Sequence, residues 1–206
     1  MKISVLLPYK ENFTVNSAGA VSLFVNDMCN ESTYQNSTYI FGNTIHKNKL
    51  SGNYINLDLD RNVFQSTSKK YVESFLDFQK DIKTDLIEIH NRPNYIKQIR
   101  KEFNKKLILY FHNDPLTMQG SKTKSERLFL LNKLDKILFN SNWSKDRFFI
   151  DFKKSEISTK KIDVCYQSSS KVKINFKNKQ KVISFVGKLN SAKGYDIFGQ
   201  TIIKIL

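Results

Sequence analysis

Lys181-Val-Ile-Ser-Phe-Val-Gly-Lys-Leu-Asn-Ser-Ala-Lys-Gly194 is the stretch around which the chain reads as organised. Val182–Val186 is a short apolar run closed by Gly187 and then by polar residues, as in a buried parallel strand that opens into a phosphate-sized turn. Tyr195 to Leu206 follows, apolar at 197, 198, 202, 203, 205 and 206, the pattern of a first helix in a new α/β unit. The expectation is one complete domain over 1–166, a basic linker over 167–181, and the first strand and helix of a second domain over 182–206. The linker carries Lys171, Lys173, Lys177, Lys179 and Lys181.

Upstream, apolar runs of strand length alternate with amphipathic segments of helix length. Strands are expected at 3–7, 38–41, 54–57, 85–89, 107–111, 136–139 and 163–166. Helices are expected at 18–28, from a cap at Ser66 or Ser68, from Pro93 to about 103, at 125–134, and from Ser141 or Asn142 to about 152. Strictly alternating elements imply right-handed βαβ crossovers, hence an α/β fold with a doubly wound, mostly parallel sheet of Rossmann-like type.

Composition narrows the partners. The 206 residues carry a net charge of +15, and 29 of the 34 basic residues are Lys. Arginine is the residue that reads bases and phosphates bidentately, so a lysine-dominated surface fits anionic lipids or phosphate-bearing substrates better than nucleic acid. A basic nucleic-acid-associated protein is therefore disfavoured. Cys29 and Cys165 show no metal-ligand spacing and no disulfide framework, which suits a reducing compartment. Lys2 to Pro8 is too short for a signal-peptide core, and no run approaches a transmembrane span. The expected location is the cytoplasm, with contact at the cytosolic face of the inner membrane left open.

In a parallel sheet, ligands sit beyond the carboxyl ends of the strands. Those ends carry Tyr9 through Gly19-Ala20, His90-Asn91-Arg92, His112-Asn113-Asp114 and Ser141-Asn142; two of the three histidines fall there. Gly19 removes a side chain where helix amides can meet a phosphate, or it is an ordinary helix start. His112 beside Asp114 orients a ligand group, or it satisfies a loop carbonyl. Asp58-Leu-Asp60 has a metal-binding look but ends a short strand, and reads as a solvated turn. Trp143, Phe148, Phe149, Ile150 and Phe152, with neighbouring lysines, are a membrane stripe or, in preference, core.

Gly19-Ala20 opening a helix, His112-Asn113-Asp114 after a central strand, and Val186-Gly187-Lys188-Leu189 followed by Lys193-Gly194 together resemble a family-4 glycosyltransferase of the GT-B fold. The likeness spans nearly the whole chain, as the N-terminal acceptor domain plus the first strand and helix of the donor domain. It implies a metal-independent retaining transferase with no cofactor, moving sugar from a nucleotide sugar to a cell-envelope glycan or lipid-linked acceptor. It further implies His112 and Asp114 at the transferred sugar, and Gly187, Lys188 and Lys193 on the donor diphosphate. Gly19, Ala20, His90, Asn91, Arg92, Asn113 and Ser141 are then substrate contacts. Tyr166-Gln167-Ser168 stands where the family has an Asn-Gly-like turn, and the acidic donor motif is expected beyond residue 206. The chain is accordingly expected to be truncated and weakly active alone. The alternative is a non-catalytic acceptor- or partner-binding module on the same half-fold.

Overall fold

A computed structural model describes residues 1–45, 47–59, 65–156, 161–168, 182–187, 189 and 191–205. Seven strands form one sheet: β1 (Ile3–Leu6), β2 (Thr38–Gly42), β3 (Tyr54–Asn56), β4 (Leu86–His90), β5 (Lys106–Phe111), β6 (Lys136–Phe139) and β7 (Ile162–Val164). Their order is β3-β2-β1-β4-β5-β6-β7, and every neighbouring pair is parallel. The expected Rossmann-like α/β architecture is present.

The helices are α1 (Ala20–Asn30), α2 (Thr67–Ile82), α3 (Ile96–Glu102), α4 (Lys124–Lys133) and α5 (Asn142–Phe148). From β1 the chain steps one way to β2 through α1. From β3 onward every connection steps the other way. Because crossovers keep one hand, α1 lies on one face and α2 to α5 on the opposite face. Two apolar clusters record this division. Leu6, Ile87, Ile89, Leu107, Leu109 and Phe111 pack under α2–α5, whereas Val5, Leu7, Ile40 and Tyr110 pack with Phe24 and Val25 of α1. The period-two alternation of each strand sends neighbouring residues to opposite clusters.

Local chemistry sets the element ends. Ser66 caps α2, its Oγ accepting from Lys69 N, and Lys83 closes that helix in the left-handed conformation at φ 52°. Thr123 and Glu126 form a capping box on α4. Two expectations shift. Pro93 opens a 3-10 turn, Pro93–Tyr95, and regular helix starts only at Ile96. The helix after Ser141 stops at Phe148, because Phe149 and Phe152 turn back to pack against Phe148. Of the aromatic stripe, Phe148 is fully buried, as core packing requires, while Trp143 is exposed.

The chain divides into two compact units, Met1–Ser169 and Ser170–Leu206. In the second, Ser191–Lys193 forms a 3-10 turn, Gly194 takes φ 73°, and α6 (Tyr195–Ile205) follows. The expected strand at Val182–Val186 does not form. A strand is stabilised by ladder partners, and the described residues of this unit provide none. The expected linker lies almost wholly outside the described residues; Gln167 and Ser168 belong to the first unit.

Candidate functional site

The strand order reverses between β1 and β4, so the loops leaving these two strands diverge and open a crevice at the sheet's carboxyl edge. The residues there are interlocked. Asn91, at φ 53°, donates its N–H to Tyr110 O at 2.9 Å and accepts the His112 N–H on Oδ1 at 2.7 Å. Asn140 Nδ2 donates to His112 O at 2.8 Å. Side-chain amides from the ends of β4 and β6 thus clamp both backbone groups of His112, between them at the end of β5.

The imidazole is equally constrained. His112 Nε2 lies 2.7 Å from His90 Nδ1, and His112 Nδ1 lies 2.7 Å from Gln167 Nε2. His90 Nε2 is 3.0 Å from Glu88 Oε1. An amide nitrogen donates, so Gln167 makes His112 Nδ1 an acceptor. His112 then carries its proton on Nε2 and donates to His90 Nδ1, which places the His90 proton on Nε2, facing Glu88. One directed chain results, Gln167 to His112 to His90; Glu88 lies near the far nitrogen of His90 without a well-formed hydrogen bond to it. Burial first, and then the neighbouring His90, holds the His112 pKa down to about 2, so the ring is neutral. Phe24 closes the assembly edge-on, 5.2 Å from His112, and Tyr110 stacks on His112 at 4.3 Å. Burial also raises the Tyr110 pKa, and its hydroxyl donates to Cys165 O.

Asp114 is engaged by the protein on two sides. Its Oδ1 caps the 3-10 turn Pro115–Thr117, accepting from Leu116 N at 3.0 Å. Arg147 grips the same carboxylate through Nε at 3.2 Å and Nη2 at 3.0 Å. Burial favours the protonated acid, but these hydrogen bonds outweigh it and hold Asp114 below the usual carboxylate range. Ser141 caps α5, its Oγ accepting from Ser144 N at 3.2 Å. Arg92 Nη1 donates to Asn91 O at 2.9 Å. Asn113 and Ala20 are exposed at the same edge.

Gly19 caps α1 without a side chain of its own. The carboxylate of Glu11 fills that role, with Oε1 accepting from Ser22 N at 3.3 Å. A Cβ on Gly19 would fall 1.9 Å from that oxygen. The close approach at Gly19 is therefore to a carboxylate of the same chain, placed where helix amides favour negative charge.

Of the sequence-derived residues, His90, Asn91 and His112 meet directly, with Ser141 tied in through Asn140. Lys193 ends a 3-10 turn in the second unit, and Lys188 lies outside the described residues, as does Asp60. Glu11, Glu88, Arg147 and Gln167 are members that the sequence reading missed. Gln167 carried a usable signal, since it follows the last strand of the sheet. Among the described residues, no group of three or more His, Cys, Asp or Glu is placed to hold a metal ion. No described helix is long and apolar enough to cross a membrane. Both cysteines are free.

No family model matches the sequence, and no curated protein matches it. Solved structures do match. Sucrose-phosphate synthase from Thermosynechococcus elongatus superposes with TM-score 0.54 at 12% identity, over 81% of this chain and 48% of that one. UDP-GlcNAc 2-epimerase from Neisseria meningitidis, bound to UDP-GlcNAc, gives TM-score 0.51 at 12% identity, over 80% of this chain and 45% of that one. The chain spans about half the length of these neighbours. At such identity the likeness is one of fold: a Rossmann-like α/β domain held in common with these enzymes.

Proposed function

We propose that this chain is the acceptor-side half of a glycosyltransferase that takes sugar from a nucleotide sugar and passes it to a glycan or lipid-linked acceptor. The observation that carries the reading is the neutral His112, locked by Asn91, Asn140 and His90 at the carboxyl edge beside the strand-order reversal. Gln167 is exposed, and its amide covers the only ring nitrogen of His112 that is not committed to the protein interior. A sugar hydroxyl replacing that amide would donate to a preset acceptor, without moving the imidazole. His112 therefore orients sugar and transfers no proton. Asp114 acts through Arg147 and the 115–117 turn, as a positioning residue.

The donor diphosphate falls to Gly187, Lys188 and Lys193 of the second unit, whose ammonium groups would offset the charge of the departing nucleotide without a metal. Two solvent-screened lysine contacts to a ligand typically contribute about 1–2 kcal/mol in total, against roughly 6 kcal/mol for tens-of-micromolar affinity. The chain by itself is expected to bind nucleotide sugars weakly and to turn over negligibly. Supplied with the rest of a donor domain, in cis or as a partner chain, it is expected to transfer sugar in the presence of chelator, with sharp losses in His112→Ala and Lys193→Ala. Full activity of both variants would remove the site assignment.

The complete hydrogen bonding of His112 also favours a second reading, a non-catalytic module that binds acceptor alone. Saturable acceptor binding with no transfer from any nucleotide sugar, even in the completed protein, would select it.

A further inference from the structure

We infer that the first unit carries a separate site for an organic phosphate, in the groove between the start of α2, the 93–95 turn and α3. A cavity of about 440 Å³ lies there, lined by Lys69, Lys97 and Lys101 together with Gln98, Gln119 and Ser68. No carboxylate is among its described lining residues. Some surface lysines elsewhere on the unit stand beside acids, as in the pairs Lys80–Asp77, Lys124–Glu156 and Lys136–Asp163, and others are single; what marks this groove is three lysines around one concavity. Here Lys69 reaches Glu73 only at 3.8 Å, and among the described residues Lys97 and Lys101 form no ion pair. Three ammonium groups around a concave surface repel one another unless an anion enters, and two primary amides and a hydroxyl add neutral donors.

A second observation points the same way. Tyr95 lines this cavity and is only 2% exposed; among the described residues its buried hydroxyl makes no well-formed hydrogen bond, though Ser68, Arg92 and the Tyr9 backbone lie near it. The groove then continues into a second cavity of about 410 Å³, which shares Asn94, Lys97 and Gln119 and adds Pro93, Phe129 and Glu126, whose carboxylate is engaged in the capping box of α4. The lysine end suits a phosphate or diphosphate, and the Pro93–Phe129 end suits a less polar body. Gly120 stands at the junction with φ 94°, where a Cβ would sit 2.6 Å from Asn94 N, so only glycine lets these two turns meet. The groove lies on the α2–α5 side of the sheet, whereas His90 and His112 pack with Phe24 of α1 on the other. It is therefore distinct from the histidine site.

The choice of an acceptor phosphate as ligand rests on the glycosyltransferase reading; the cavity and its charge do not. Calorimetric titration of the full chain with inorganic pyrophosphate and with glycerol 3-phosphate tests a soluble source. Flotation with phosphatidylcholine vesicles, with and without phosphatidylglycerol, tests a lipid headgroup. The Lys69→Ala/Lys97→Ala/Lys101→Ala variant is expected to weaken binding by roughly tenfold or more. A charge-matched control, Lys106→Ala/Lys145→Ala/Lys153→Ala, is expected to leave it within about twofold. The single charge reversal Lys97→Glu repeats the test with minimal perturbation. Cavity-specific loss with soluble phosphates assigns a free organic phosphate, and the same loss confined to vesicles assigns a headgroup. No binding in either arm, or equal loss in the control, overturns the site. Because neither donor sugar nor turnover is involved, failure here leaves the transferase reading standing, and a failed transfer assay leaves this site standing.

Discussion

At His112 each polar atom has a partner, and the direction of every hydrogen bond follows from a neighbour that can act in only one sense. The amide of Gln167 donates, so the ring is neutral with its proton on Nε2. A neutral histidine whose folded pKa lies near 2, against about 6.5 when unfolded, makes the unfolded state the better proton binder between those values. Its contribution to stability is complete above pH 6.5 and drains away as pH falls toward 2. The expected slope from this residue is up to about 1.4 kcal/mol per pH unit. Urea unfolding measured from pH 7.5 to 4 is expected to show this loss in the wild type and a flatter dependence in His112→Asn. Equal slopes would remove the neutral-imidazole assignment. Asn91 gives a second test at this scale. Asn91→Ala leaves the buried His112 N–H unpaired and places alanine at φ 53°, for a combined cost of about 2–4 kcal/mol. A cost below about 1 kcal/mol in denaturant unfolding would contradict the clamp. His90, Asn91 and His112 were legible in the sequence because each stands at or just past the carboxyl end of a strand. Glu88 was not, because it sits inside β4 and is drawn in only by the tautomer of His90. Arg147 was not legible either, because its meeting with Asp114 crosses 33 residues.

Among the elements, the strands were the most legible, because parallel strands buried on both faces read as continuous apolar runs. Lys136–Phe139 matched to the residue, and the others shifted by one or two at their ends. Caps marked α2 and α5, since Ser66 and Ser141 hold their first-turn amides. Val182–Val186 went the other way. Its apolar pattern is that of a strand, but pairing is a property of neighbours and not of the run itself. Arg127 of α4 was also hidden, being a fully buried cation. Its guanidinium donates to Lys122 O at 2.9 Å and to Ile150 O at 2.7 Å, stitching the loop before α4 to the turn after α5. Arg127→Leu is expected to cost about 2–4 kcal/mol in denaturant unfolding, since these carbonyls lose their donors. A loss within about 0.5 kcal/mol would mean that the stitch carries little load.

For the whole molecule, the fold follows from one topological fact. Among the described residues of the first unit, a single reversal of direction between β1 and β4 puts one α-helix on one face, four on the other, and a crevice at the reversal. The alternation of elements predicted the sheet but not its order, because parallel pairing leaves no mark on which strands become neighbours. Division into two units predicts that a chain ending at Ser169 keeps the cooperative transition of the full chain. Circular dichroism melts are expected to superpose, and a broad, non-cooperative melt of the shorter chain would contradict independence of the first unit. The most direct measurement of the central claim is a long-range 1H–15N spectrum of the imidazoles, recorded with and without nucleotide sugars and acceptor glycans. The account predicts an unprotonated Nδ1 and a protonated Nε2 on His112 down to pH 4, with the Nδ1 resonance moving when a sugar displaces Gln167. A His112 that is protonated at Nδ1, titrates near pH 6.5, or stays unmoved by every sugar offered would contradict it.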